Sequence, residues 1–339
     1  MIFALILLVL LGVSALMNVG QLFDSMFRFQ TAHTRSAGPQ LHEVVVENNR
    51  SASKIAVVPI DGIITSMQDR AGFNMVEVVK AQLKKAEDDE DVEAVLLKVD
   101  SPGGEVLASD EISGAIRKFQ EDSGKPVVVS MGSLAASGGY YVSAPCQWIV
   151  ANELTITGSI GVIMSTWNYR GLMSKVGIRP FTYKSGKFKD MLSGSREPEE
   201  IPAEEREMLQ ALIDQTYDRF KTVVTDGRKY AHDKNEDKGK ALVQNWKDYA
   251  DGRVLSGKVA HQLGFVDELG NFDTAVNRAK ELTGIKRANL VEYRLRVDIA
   301  DILGLFGQSE SRVIKVDLGI EAPKLDAGRL YFLSPTYLH

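Results

Sequence analysis

Four short apolar runs, Ile55–Ile60, Ala94–Val99, Pro126–Met131 and Trp148–Ala151, are separated by stretches of a different periodicity. Runs of about four to eight aliphatic residues without polar alternation suit strands covered on both faces. The intervening stretches supply the covers. Val76, Val79, Leu83 and Ala86 recur at helical spacing, and Ile112, Ala115, Ile116 and Phe119 do so again. This order predicts an α/β domain with a parallel sheet and helices on both sides. Further strands are expected at Ile160–Met164 and Pro180–Tyr183. Leu209, Ile213, Thr216, Phe220 and Val223 line a long helix. Residues 226–250 are charged enough to read as a solvated arm or loop. A last helix around Thr274–Leu282 ends at Gly284, a good helix terminator. The remainder is weakly patterned, yet Leu330–Leu333 is apolar enough to need burial.

The 339 residues leave room for roughly two domains, or one large α/β domain with attachments. A net charge of −5 with no long basic run argues against nucleic-acid binding. The single cysteine, Cys146, can form neither an internal disulfide nor a cysteine-based metal site. The histidines, His33, His42, His232, His261 and His339, are scattered, so neither a metal nor another cofactor is expected. From Met1 to Phe23 there is no charged residue. At ~1.5 Å per residue this stretch reaches about 34 Å, enough to cross a hydrocarbon core of ~30 Å. It has no polar stripe for a core helix and no basic start for a signal peptide, so it reads as a retained transmembrane anchor. Arg28 and Arg35 follow the anchor and weakly favour a cytoplasmic body. The expected organisation is an anchor at 1–23, a linker at 24–53, a main α/β domain at 54–285 and a C-terminal extension at 286–339.

Three glycine-bearing turns stand at strand ends. Asp100-Ser101-Pro102-Gly103-Gly104 follows the second run, and its glycines let backbone N–H groups approach a ligand. As a pattern it also fits a plain strand-to-helix turn. Gly132 to Tyr141 follows the third run and places Ser137 at the start of a helix, where backbone amides favour an oxyanion. Close helix packing would use the same small residues. Ala135 breaks the G-x-S-x-G elbow, and no phosphate loop is present. Thr157-Gly158-Ser159-Ile160-Gly161 is the third turn. A nucleophilic serine needs a base, and no histidine is well placed; His261 reads as a helix-face residue. A desolvated lysine is the other option, and Lys184, Lys187 and Lys189 cluster after a predicted strand. Each is also an ordinary surface cation. Cys146, at the start of a strand, reads as a packing residue.

These turns, followed by Gly186-Lys187-Phe188-Lys189-Asp190, stand in the order found in the signal peptide peptidase A family. The chain resembles the short, single-repeat, membrane-bound form over about residues 43–285. Asp251-Gly252-Arg253-Val254 and Gly264 to Gly270 extend the likeness. The resemblance implies a ClpP/crotonase-like spiral of βαβ units behind an N-terminal transmembrane helix. It implies Ser137 as nucleophile, Lys189 as base and Ser159 as the residue holding the lysine amine. Gly138 and Gly104 would supply the oxyanion hole. It further implies hydrophobic peptide substrates such as signal-peptide remnants, a membrane-lipid environment, and a homo-oligomeric ring in which Ser137 and Lys189 can pair in trans. By the resemblance the catalytic body lies on the extracytoplasmic side, against the weak charge signal. A catalytically silent membrane scaffold and an acyl-CoA enzyme of the crotonase type are the rival readings, since fold does not fix function.

Overall fold

The computed structural model describes residues 38–68, 72–236, 238–296 and 330–333. The expected anchor at Met1–Phe23 lies outside these residues. Among the described residues no helix is long and apolar enough to cross a membrane. The strands are β1 (Leu41–Glu47), β2 (Lys54–Asp61), β3 (Val92–Ser101), β4 (Gly103–Glu105), β5 (Val127–Ala136) and β6 (Trp148–Ala151). They continue with β7 (Ile156–Gly158), β8 (Val254–Ser256), β9 (Glu268–Leu269), β10 (Asn289–Leu295) and β11 (Tyr331–Leu333). The helices are α1 (Met75–Asp88), α2 (Val106–Ser123), α3 (Gly138–Ser143), α4 (Arg170–Lys175), α5 (Ala203–Lys234), α6 (Gly257–Gln262) and α7 (Phe272–Thr283).

The main sheet runs β1-β10-β2-β3-β5-β6-β9, with β7 and β8 added from the far end of β5. Only the β1–β10 and β7–β8 pairs are antiparallel. The fold is therefore mixed α/β around a large, mostly parallel sheet. Its central strands are apolar throughout because each face meets a different layer. Ala56, Val58, Ile60, Val95, Leu97, Val99, Val127 and Val129 join one core. Ile55, Val57, Ala94, Leu96 and Val128 point the other way, onto Ala275, Val276 and Ala279 of α7. The helices start and stop where side chains satisfy their end groups. Asn74 and Glu77 form a capping box on α1, and Gly124 and Gly284 end α2 and α7 in the left-handed region.

The structure corrects four expectations. Residues 41–47, expected within the linker, form β1 and pair with β10, so the sheet extends past 54–285 on both sides. Ile160–Met164 is not a strand; the ladder forms earlier, at Ile156–Gly158, and leaves only a bridge between Ile163 and Tyr331. Pro180–Tyr183 is also not a strand, and Phe181 and Tyr183 are exposed. Residues 226–250 are not a solvated arm. α5 continues to Lys234 and buries Gly227 and Arg228, and Trp246 and Ala250 are buried beyond it. Charge misled here because Arg228 donates to both carboxylate oxygens of buried Asp267, at 2.5 Å.

Candidate active site

β5 outruns the main sheet. Its first half pairs with β3 and β6, and Leu134–Ala136 pair with β7, which carries the chain away from the core. Ser137 stands where β5 turns abruptly into α3. Its φ of 55° and ψ of −116° are rare for a non-glycine residue, a strain of about 1–3 kcal/mol that the surrounding packing holds in place. The residue is buried, and its Oγ has no hydrogen-bond partner among the described residues. A hydroxyl at a sharp strand-to-helix turn is the arrangement that presents a nucleophile beside first-turn amides.

The Ser-Pro-Gly-Gly turn closes over that point. A Cβ on Gly103 would lie 2.0 Å from the Phe332 carbonyl oxygen and 2.6 Å from the Gly138 nitrogen. A Cβ on Gly138 would lie 3.0 Å from both Gly103 Cα and Gly104 N. The two backbones thus meet closely, with the Ser109 hydroxyl also packed against Gly138, 2.8 Å from where its Cβ would stand. Ser101 sets the turn: its Oγ accepts from Gly103 N and donates to the Gly62 carbonyl.

Ser159 adjoins this centre. Ser137 N donates to the Gly158 carbonyl at 2.8 Å, and Ser159 N donates to the Arg253 carbonyl at 2.8 Å. Ser159 is buried and, like Ser137, has a positive φ, here 51°. Lys189 is placed differently. It lies exposed in the 184–196 segment and makes no side-chain hydrogen bond or ion pair among the described residues. No bond joins it to Ser137 within one chain.

The last described strand completes the surroundings. β11 pairs antiparallel with β4, Phe332 opposite Gly104, and Tyr331 exchanges backbone bonds with Ile163 at 3.1 and 3.2 Å. The Phe332 ring rests 4.7 Å from Tyr141 and 4.7 Å from Phe220. Sequence reasoning required burial of Leu330–Leu333 but carried no signal for where. Tyr141 is fixed in turn: its hydroxyl donates to Asp110, which also accepts from Arg219. Burial, and then the Asp110 hydrogen bond, push the Tyr141 hydroxyl well above its ordinary value, so it stays protonated. Cys146 is buried and weakly bonded to the Val142 carbonyl, and burial pushes its thiol up, in keeping with a packing role. Burial lowers His261, with Lys240 adding to the effect, so it is a neutral helix-face imidazole.

A strained, buried serine at a strand-to-helix turn, roofed by a glycine turn, is the geometry that suits a serine hydrolase of the α/β type. The comparisons with known proteins make this specific. Residues 119–286 match the model of peptidase family S49. The chain is 36% identical to a putative signal peptide peptidase SppA of Enterococcus faecium, over 82% of this chain and 80% of that protein. It is 40% identical to a putative protease of Synechocystis sp., over 68% of this chain and 75% of the relative. With protease 4 of Haemophilus influenzae it shares 34% identity over 73% of this chain, but spans only 38% of that longer protein. The chain belongs to peptidase family S49 and is a serine protease of that family.

Proposed function

We propose that this protein is a membrane-anchored serine endopeptidase that works by a Ser–Lys dyad on hydrophobic peptides, signal-peptide remnants among them. Ser137 Oγ attacks the scissile carbonyl while Lys189, as a neutral amine, takes its proton. The lysine then gives that proton to the leaving amine, and water, activated by the same amine, releases the acyl group from Ser137. Ser159 orients the amine, and the Gly138 and Gly104 N–H groups receive the oxyanion. The relative named as a signal peptide peptidase supports the substrate class.

One observation carries the reading of a peptide groove. The chain's own Tyr331–Leu333 lies extended and antiparallel along Gly103–Glu105, with its Phe332 carbonyl beside the Gly138 nitrogen. Strand addition gives sequence-independent backbone bonds, and the apolar wall of Tyr141 and Phe220 selects the side chain. The position of Lys189 supports a base supplied by a neighbouring copy. The segment before it exposes Trp167 by 81%, Phe181 by 82% and Tyr183 by 95%. A second copy seated on those rings would bury them and desolvate the lysine, as a neutral amine requires. The uncharged Met1–Phe23 stretch would anchor such a ring, its catalytic bodies on the extracytoplasmic side.

The test is hydrolysis of a hydrophobic fluorogenic peptide by the detergent-solubilised protein. Ser137→Ala and Lys189→Ala are each expected to cut turnover to a small residual rate, and mixing the two is expected to restore part of it. Turnover surviving in Ser137→Ala would remove the nucleophile and the mechanism with it.

A further inference from the structure

The segment that bears Lys189 has no strand or long helix to fix it. Within Lys184–Arg196 the backbone bonds to itself only through short turns, Lys189 N to the Gly186 carbonyl, Met191 N to Phe188 and Ser193 N to Asp190. Leu192 sits in the left-handed region at φ 67°, without the freedom of glycine. Something else must hold this shape, and the side chains supply it.

Glu205 lies in the first turn of α5, where Glu204, Arg206 and Glu207 are exposed, yet it is only 2% exposed itself. Its Oε1 accepts from Arg196 Nη2 at 2.5 Å and from the strained Leu192 amide at 3.3 Å. Arg196 reaches back with Nη1 to 3.6 Å from Asp190, the residue next to Lys189. Asp190 accepts from Lys184 Nζ at 2.6 Å, closing the far end. Lys187 is tied to Glu204 on the same helix turn. At the other border Gly194 accepts from Tyr169 N, and a Cβ there would meet the Trp167 carbonyl at 2.1 Å. Every charged neighbour of Lys189 in the segment is thus bound, and Lys189 alone is left free to reach outward.

A buried carboxylate among exposed neighbours is costly unless it has paired partners, and an Arg held between two carboxylates is a rigid planar brace. We propose that Glu205 is a positioning residue for Lys189, acting through Arg196 and Asp190 to fix the direction in which the amine leaves the segment. The proposal rests on Lys189 being the base. Glu205 touches neither substrate nor Ser137; it sets where the base stands when the neighbouring copy presents its serine.

The experiment is a double-mutant cycle on the detergent-solubilised full chain with the same fluorogenic peptide. Glu205→Gln is expected to lower kcat roughly 10²-fold with KM little changed, the loss that a misplacement of about 1 Å brings. It is also expected to move the acid limb of the kcat/KM profile to higher pH, because an amine directed away from the neighbouring copy stays in water and keeps its proton. In a Lys189→Ala background, adding Glu205→Gln is expected to cost nothing more, since the two act as one unit. An equal further loss of residual turnover there, or of thermal stability in step with activity, would make Glu205 merely structural and overturn the proposal. Wild-type kcat and pH limb in Glu205→Gln, with Lys189→Ala cut to its residual rate, would also overturn it and leave the dyad intact. Full activity in Lys189→Ala would instead remove the dyad. Should Glu205→Gln fail to fold, Arg196→Gln at the segment's border probes the same brace and is expected to give the same kcat loss and limb shift.

Discussion

Gly103→Ala is the sharpest perturbation of the site, because its one added carbon has nowhere to go. The new Cβ would stand 2.0 Å from the Phe332 carbonyl oxygen and 2.6 Å from the Gly138 nitrogen, and both are backbone atoms that cannot rotate away. The glycine φ of 102° adds a conformational penalty of about 1–3 kcal/mol for an L residue. Overpacking of a tight site costs about another 1–3 kcal/mol, so the total is about 2–6 kcal/mol if nothing yields. The cheaper relief is for β11 to leave or for the α3 start to shift. Loss of β11 would expose Tyr331, Phe332 and Leu333, each now nearly fully buried and each worth about 1.5–3 kcal/mol. A shifted α3 moves the Gly138 amide, the proposed oxyanion donor, and losing one such donor lowers the rate roughly 10²–10³-fold. Either route lowers the melting temperature, by about 2–4 °C per kcal/mol for a body of this size. The assay is thermal unfolding together with peptide hydrolysis by the same preparation. A variant that melts within about 2 °C of wild type and retains half its activity would refute the close stacking of the two glycine turns.

Other consequences are equally direct. Asp267→Asn leaves Arg228, 1% exposed, without its charge partner, and is expected to destabilise by about 3–5 kcal/mol; chemical unfolding should show a lower midpoint at unchanged slope. Phe332→Ala removes a fully buried ring stacked on Tyr141 and is expected to cost about 3–5 kcal/mol in the same measurement. Asn74→Ala breaks the α1 capping box and should cost about 1 kcal/mol without altering activity. The hydrogen bond from Arg253 holds the Asp251 carboxyl at about 2, below its usual 3.8. A depressed carboxyl stabilises above its unfolded value and loses that contribution as pH falls through its folded one, so the Asp251–Arg253 turn should hold from neutrality to about pH 3.8 and loosen toward pH 2. Carboxyl NMR titration should show Arg253→Gln returning Asp251 toward 3.8.

What the sequence disclosed follows from how each feature is encoded. The buried strands at 55–60, 94–99, 127–131 and 148–151 announce themselves because both faces need apolar residues. Ser137 and its glycines are legible because a turn this tight permits little else. β7 was displaced from the expected 160–164 because Ile160, though apolar, is buried by packing and not by ladder bonds; pairing depends on β5 extending to Ala136, which local pattern does not encode. The buried part of 226–250 was hidden for a different reason. Arg228 and Asp267 read as solvent-facing charges until a partner 39 residues away is known. The role of Leu330–Leu333 is likewise a long-range pairing, with β4 more than two hundred residues earlier.

The same distinction separates the two halves of the proposed dyad. Ser137 is held by covalent backbone geometry, by the Gly158 carbonyl on its own amide and by two glycine turns in contact, so one chain suffices to set it. Lys189 is held by ion pairs at the segment 184–196 and stands exposed, far from the condition a neutral amine needs. A cation in water does not lose its proton near neutral pH, whereas one covered by apolar surface can. On the proposed pairing in trans, the isolated chain would be inactive and would become competent when its exposed rings at Trp167, Phe181 and Tyr183 are covered. It follows that activity should rise more steeply than protein concentration across the assembly range, with Trp167→Asp shifting that range upward by weakening the contact. Activity per chain that stays constant on dilution, while light scattering reports separate chains, would show that one copy holds both groups.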